Sequence, residues 1–365
     1  MPLSERVIER LQEADLPLKV AWLRGRGRLD FMRAAIWLIL GIKGSGKSAL
    51  IETLALYSDQ IIDLFGSRDN ENLCWLRDTS PIDDILLVIG DNVDLNCSWP
   101  TVRVSDLKLS DILSHELTTT CNAFYSSQDQ RFIGVGAIID RLWLRDGYNS
   151  FIDILIREAS SFLYSRMKIE GANMKEAKAD FIFMQREMRH LGYSMKIDTI
   201  RWTSIDKEMR DLADYLVVKK TGRNSLPTDI NYLYKYCSPI GFATMRPDRF
   251  VVQTDYPIGL GYSGLPKFHK LGGESLMKEL DLNPEYGEEI ELSTAQQVGD
   301  MQHAEIIRLA HEGMSQGNIA RKVGRSSATV NGHIQRRHNR QILNGGECEY
   351  CARVGSDLSK TLITY

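Results

Sequence analysis

The stretch "WLILGIKGSGKSALIETL" puts Gly41, Gly46, Lys47 and Ser48 at every fixed position of G-x-x-x-x-G-K-[ST], directly after the apolar run Ile36 to Leu40 and before a helix-like segment. An apolar strand entering a glycine-rich turn would let the backbone N–H groups of Gly41, Gly44, Ser45 and Gly46 wrap a phosphate chain. The positive end of the following helix supports the same anion. Lys47 would reach the β- and γ-phosphates, and the Ser48 hydroxyl would complete the shell of a Mg²⁺ ion. The cofactors implied are ATP and Mg²⁺.

Hydrolysis of a bound nucleotide also needs carboxylates, to hold the metal's waters and to polarise the attacking water. Two apolar runs compete to supply them. "DDILLVIGD" closes on Asp91, whereas "SFIDILIREASS" ends in Arg157 and Glu158. Asp63, at the end of the apolar run after the loop's helix, and Asp153 are further carboxylates within reach of such a site. The plain alternative makes Arg157 and Glu158 a surface ion pair at a strand end.

A second group of residues lies near the C-terminus, in "HAEIIRLAHEGMSQGNIARKVGRSSATVNGHIQRRHNRQ". Ile306, Ile307 and Leu309 mark one amphipathic helix, which Gly313 stops. Ser315 caps a second helix, and Ser326 or Ser327 a third, with Ala320 and Val330 as their packing residues. Between Arg325 and Arg340 there is no acidic residue. A helix so charged suits the major groove of duplex DNA, with phosphate contacts supplying affinity and side chains near its start reading bases. Arg325, Ser327, Thr329, Asn331, Gln335, Arg336, Arg337 and Arg340 are the contacts this predicts. A three-helix bundle that binds protein is the alternative. Just beyond, Cys348 and Cys351 have the two-residue spacing of a zinc knuckle, and His333 and His338 are the nearby imidazoles that could join them on a structural Zn²⁺. Two free thiols in a tail is the competing reading.

These residues need elements to position them. Residues 1–34 read as an N-terminal helix and a basic connector. Residues 35–283 alternate apolar β-type runs with helical patterns, which predicts an α/β domain with a mostly parallel sheet covered by helices. Its Pro- and Gly-rich part from residue 222 reads as a loop-rich closing segment. Residues 284–298 form an acidic linker, 299–341 a small all-α helix-turn-helix domain, and 342–365 a tail. The formal net charge of −3 over 365 residues confines any nucleic-acid surface to a local patch. Four of the six cysteines stand singly, which suits a reducing compartment. No apolar run is long enough to span a bilayer and the acidic start lacks a signal-peptide pattern, so the expectation is a cytoplasmic protein without membrane insertion.

Several segments resemble a known family. "ILIREASSFLYSR" is similar to the second acidic motif of the HerA/FtsK superfamily of DNA-pumping P-loop ATPases, where an apolar strand ends in Asp-Glu-Ala and enters a helix. "FMQREMRHLGYSMKIDTIRWTSIDKEMRDLADYLVVKK" resembles that family's helix, Arg-x-x-x-x-Gly turn, fourth strand and Ile-Asp-x-x-x-Arg segment, so the likeness spans Ile36 to Lys220. The resemblance implies that Glu158 polarises the attacking water. It places Arg157 where the family usually has aspartate, and Ile200, next to Thr199, where many relatives carry a glutamine sensor. It further implies a homo-oligomeric ring, such as a hexamer, in which an arginine from one subunit serves its neighbour's γ-phosphate. Arg186, Arg189 and Arg210 are the arginines available for that role, Arg189 favoured over its companions, whereas His190 reads as a surface residue. The C-terminal segment resembles the helix-turn-helix of resolvases and sigma-like regulators. Together these imply ATP-dependent translocation or packaging of duplex DNA. The rival is a nucleotide-switched DNA-binding regulator with weak or no hydrolysis, which the Arg157 and Ile200 departures would tolerate. A P-loop kinase or small-molecule ATPase with an accessory domain is a third reading, against which the helix-turn-helix argues.

Overall fold

The computed structural model describes residues 3–31, 33–65, 70–145, 151–159, 190–205, 207–222, 226–287, 293–323, 325–344, 346–353 and 356–363. The short all-apolar runs become central strands. Runs such as "IWLIL", "ILLVI" and "IDILI" are buried along their whole length, as strands of a parallel sheet covered on both faces must be. The strands in chain order are β1 (Leu18–Arg24), β2 (Ile36–Leu40), β3 (Gln60–Phe65), β4 (Ile85–Ile89), β5 (Val93–Leu95), β6 (Thr101–Arg103) and β7 (Leu117–Thr119). They continue with β8 (Ile152–Ile156), β9 (Tyr193–Thr199), β10 (Tyr215–Val218), β11 (Arg249–Gln253), β12 (Ile258–Ser263) and β13 (Pro284–Tyr286).

Among the described residues eleven of these strands form one sheet, in the order β1-β12-β11-β10-β2-β9-β8-β3-β7-β4-β6. From β10 to β6 every neighbour is parallel, while β11, β12 and β1 add an antiparallel edge. The architecture is therefore the α/β one read from the sequence, a P-loop nucleotide-binding fold with a mixed sheet. Trp37 of β2 stacks on Tyr215 of β10 at 3.9 Å between ring centroids, and Phe31 stacks on Tyr57 at 4.1 Å. Contacts of this kind contribute about 0.5–1.5 kcal/mol each beyond the area they bury. They fix the strand that carries the phosphate loop.

Three segments differ from the sequence expectation. The N-terminal connector contains β1, whose "LKVAWLR" alternates partly buried and exposed positions and pairs with β12. The segment read as loop-rich closure supplies β11 and β12. Their glycines are packing residues, since a side chain at Gly261 would lie inside the ring of Phe250. The start of the acidic linker forms β13, paired with β5, and residues 293–298 already belong to a helix. In each case a tertiary contact outweighs a local signal of glycine, proline or charge.

The helices that concern function are α1 (Glu5–Ala14), α2 (Lys47–Ala55), α3 (Gln128–Leu142), α4 (Ser293–His311), α5 (Gln316–Val323), α6 (Ser327–Asn331) and α7 (Glu349–Arg353). A π-helical stretch, Gly332–Asn339, and a last helical turn, Arg340–Leu343, continue α6 without a break. α4 to α6 enclose their own core of Ile306, Ile307, Leu309, Ile319, Val330 and Ile334, to which Cys348, Cys351 and Ile363 are added from the tail. Gly313 turns the chain after α4 at φ 80°, Ser315 accepts the Asn318 N–H, and Ser326 accepts the Thr329 N–H at 3.0 Å. Ser326 is thus the cap of the third helix.

Candidate functional site

The loop from Gly41 to Ser48 is anchored on both sides by strand ends. The Gly41 N–H donates to the Thr199 carbonyl at 3.1 Å, and the Ile42 N–H donates to the Lys220 carbonyl at 2.9 Å. Gly44 and Gly46 have φ of 72° and 78°, and Gly46 caps α2. A Cβ on Gly46 would stand 2.5 Å from the Pro247 carbonyl oxygen, so this position excludes any side chain. The Lys47 side chain is buried, folded back with its Nζ 3.4 Å from the Ile42 carbonyl and 3.9 Å from Asp198 Oδ2. The Ser45 hydroxyl is buried without a hydrogen-bond partner. Such a turn, with an orphaned hydroxyl and a lysine held only by long contacts, fits a phosphate chain.

The sheet order decides between the two acidic runs. β8, which leads into Glu158, is two strands from β2, with β9 between them. β4, which leads to Asp91, is five strands away, or about 24 Å at the usual strand spacing. Asp91 accepts the Ser105 N–H there and takes no part in the loop. Glu158, by contrast, ends its strand in the left-handed region at φ 52°, a conformation that costs a non-glycine residue on the order of 1–3 kcal/mol. Its N–H donates to the buried Asp198 carboxylate.

Asp198 was not foreseen, and neither was Glu71. Asp198 follows Ile197 on β9, opposite Ile39 of the loop strand. Glu71 opens a 3₁₀ turn, Glu71–Leu76, and its carboxylate accepts the Ser48 hydroxyl at 2.9 Å. Glu71, Glu158 and Asp198 thus share a field with Lys47. Burial, then the charges of Asp198 and Glu71, push the Glu158 carboxyl above its ordinary range, with Lys47 opposing. Burial also raises Asp198, and Lys47 offsets part of that rise. Ser48 and this carboxylate set fit a hydrated divalent cation. The polar residues alternating in "YSMKIDT" were the sequence signal for Asp198; Glu71 had none, because its turn is remote from every motif.

Arg157 is not a surface residue. It is fully buried, with Nη1 2.6 Å from Glu52 of α2 and Nη2 2.8 Å from Asp63 of β3. Trp75 donates to the same Asp63 carboxylate at 2.9 Å, and His269 lies 2.7 Å from Glu52. Burial would raise Glu52, but His269 and Arg157 outweigh it and hold this carboxyl low. The surface-pair alternative is therefore corrected, and Asp63, expected as a further metal carboxylate, is instead held through Oδ2 by Arg157 and Trp75 in a fully buried network. Asp153 is likewise taken, by an ion pair with Lys196 of β9. Ile200 follows Thr199 at the end of β9, half-buried.

Lys219 is a further residue that sequence reading missed. It follows β10, its N–H donates to the Leu40 carbonyl at 2.8 Å, and its Cβ would lie 3.1 Å from a Cβ on Gly41. Its Nζ is buried without a hydrogen-bond partner, 5.8 Å from the Phe250 ring centroid. Burial lowers its pKa to about 7, with Lys47 adding to the fall and Asp248 opposing it. The lysine closing "YLVVKK" becomes legible only once β10 is known to border the loop strand.

Of the arginines proposed to serve a neighbouring subunit, Arg186 and Arg189 lie outside the described residues. Arg210 lies over Trp202 and 3.4 Å from Asp229. His190 is exposed. On the third C-terminal helix, Ser327, Asn331 and Gln335 are exposed at four-residue intervals, with Arg336 and Arg340 exposed beside them. Thr329 is buried and shares its hydroxyl with Ser326, and Arg325 is turned back onto Gln302 at 2.9 Å and onto Asp140 of α3. Arg337 lies half-buried against the Tyr350 ring. The exposed face therefore excludes Thr329, which bonds Ser326 beside it, and Arg325, which is held by Gln302 and the distant Asp140. The Cys/His group also differs from the expectation: His303, His338, Cys348 and Cys351 converge, with His333 one layer behind.

No family description matches the sequence, and no curated protein matches it. Among solved structures, one similar chain is the genome packaging NTPase of Sulfolobus turreted icosahedral virus 2 in complex with sulfate. It has 18% identity and a TM-score of 0.38, over 65% of this chain and 96% of that one. The DNA-packaging ATPase of Sulfolobus turreted icosahedral virus matches at 16% identity and 0.32, over 66% and 98%. The pCW3 conjugation coupling protein TcpA with ATPγS matches at 13% identity and 0.38, over 73% and 69%. Scores this low leave the likeness without weight, so the fold assignment rests on the strand order and loop geometry above.

Proposed function

We propose that this chain is an ATPase that couples hydrolysis to movement of duplex DNA, working as a homo-oligomeric ring with a helix-turn-helix module at its C-terminus. The observation that carries the ATPase part is the convergence of Lys47 and Ser48 with Glu158 and Asp198 from adjacent parallel strands and with Glu71 from a separate 3₁₀ turn. Lys47 and the loop N–H groups bind the phosphates of ATP. Mg²⁺ would be held by the Ser48 hydroxyl and, through its waters, by the carboxylates, and when bound it neutralises charge on the phosphates. Glu158 accepts a proton from the attacking water at its carboxylate, which its raised proton affinity favours. The ring comes from the family resemblance of Ile36 to Lys220, with Arg189 and Arg210 as the proposed donors to a neighbour's γ-phosphate. The DNA part is supported by the exposed Asn331, Gln335, Arg336 and Arg340.

The test measures ATP binding, ATP turnover and displacement of a triplex-forming strand from duplex DNA by the full chain. Glu158→Gln is expected to bind ATP while losing roughly 10²–10⁴-fold in turnover. Turnover that duplex DNA stimulates, together with strand displacement, supports the motor. DNA binding that ATP modulates without displacement would give the regulator reading instead.

A further inference from the structure

We propose that His303, His338, Cys348 and Cys351 form a tetrahedral centre for one zinc ion that fastens the C-terminal tail to the three-helix unit. All four side chains are buried, and one ligand atom from each lies within 4.8 Å of the others. His303 Nε2 is 3.2 Å from Cys348 Sγ, and His338 Nδ1 is 3.6 Å from Cys351 Sγ. With Zn–S near 2.3 Å and Zn–N near 2.0 Å, the edges of a tetrahedron are about 3.3–3.8 Å, so the two His–Cys pairs already stand at that span and no other pair has to close by more than about 1.5 Å. Two thiols and two imidazoles are the donor set that selects zinc over magnesium or calcium.

The outer contacts point the same way. His303 directs Nε2 into the cluster while its Nδ1 lies 2.9 Å from His333 Nδ1, and His338 directs Nδ1 inward while its Nε2 lies 2.7 Å from the Thr361 carbonyl. Each ligating ring thus has its other nitrogen held by a partner, the arrangement that orients a metal-bound imidazole. The ligands come from separate elements: α4 carries His303, the π-helical stretch carries His338, and Cys348 and Cys351 flank the start of α7. The π-helical stretch, with its i→i+5 bonds, brings His333 and His338 to one side, where their rings lie 5.2 and 5.9 Å from that of His303. As the ion binds, the two thiols release their protons to solvent and the imidazoles bind in their neutral form. The centre would lock the helix that also exposes Gln335, Arg336 and Arg340. That last consequence rests on the DNA reading; the metal content does not.

The experiment counts metal in the purified full chain by mass spectrometry and records the visible spectrum after replacement with Co²⁺. One zinc per chain is expected, with intense Co²⁺ d–d bands of a tetrahedral thiolate site. Cys351→Ser and His303→Asn are expected to lose the metal, Cys97→Ser to keep it, and His333→Asn to weaken it about 10–100-fold. A wild-type chain that neither contains zinc nor gives the Co²⁺ spectrum, or one with a Cys348–Cys351 disulfide, overturns the proposal without reference to any variant. Zinc present with no DNA binding would leave the metal centre standing and sink the DNA reading.

Discussion

Lys219 shows how one side chain carries a measurable cost. Its pKa is lowered to about 7 in the folded chain from an ordinary value of 10.5. Below about pH 7 the amine is charged in both folded and unfolded states, and the full cost of burying that charge is present. Between about pH 7 and 10.5 the unfolded chain binds the extra proton, so this group's contribution to stability rises with pH. Lys219→Met should therefore raise the melting temperature of the nucleotide-free protein by several degrees at pH 6, and the gain should shrink toward pH 10. Thermal unfolding of both proteins across that range checks it; a gain independent of pH would show that packing against Phe250, rather than charge, sets the difference. The same orphaned amine beside Gly41 makes loss of ATP affinity in Lys219→Met the natural companion measurement.

At the scale of elements, Arg157 joins three of them. It lies directly after β8 and binds Glu52 on α2 and Asp63 on β3, all without solvent. Removing one partner of a buried ionic group leaves the others uncompensated, which costs about 3–5 kcal/mol. Arg157→Ala is expected to lose about that much in a denaturant titration, and Arg157→Lys to recover only part of it, because an ammonium cannot span both carboxylates as a planar fork does. A loss below about 1 kcal/mol, the range of an exposed pair, would mean that water reaches the network. Read as a string, "REAS" does not say which way either charged residue points. The fold turns Arg157 inward and leaves Glu158 with the loop, because the strand end reverses at Glu158 in a left-handed conformation.

For the whole molecule the question is how a chain of net charge −3 would hold DNA. In the proposed function the third C-terminal helix would do so locally, because Arg336 and Arg340 are exposed on a stretch that carries no acidic residue. Replacing both arginines with alanine should weaken duplex binding by the full chain at low salt. It should also flatten the slope of log affinity against log salt by about 0.9 for each phosphate that the variant no longer neutralises. Titrations at several salt concentrations check this; an unchanged slope would place the DNA-binding surface elsewhere on the molecule.

The sequence by itself determined the phosphate loop, the central strands and the three C-terminal helices. Each is a local matter: a motif whose chemistry needs fixed spacing, apolar runs that cannot remain in water, and caps that satisfy helix ends. Glu158 and Asp91 both close apolar strands, and only the family resemblance favoured Glu158. Only the tertiary structure decided which groups meet. The order of parallel strands removed Asp91 from the loop and brought Asp198 to it, and a remote turn supplied Glu71. Burial turned Arg157, expected at the surface in the ion-pair reading, and Asp63, expected as a spare carboxylate, into scaffold, because a charge without water must find a partner. In the C-terminal unit the cysteine spacing was visible, but His303 lies 45 residues before Cys348 and joined it only when α4 folded over the third helix. Sequence records the type of each group and its near neighbours; distance through space, on which coordination and charge pairing depend, exists only after the chain has closed on itself.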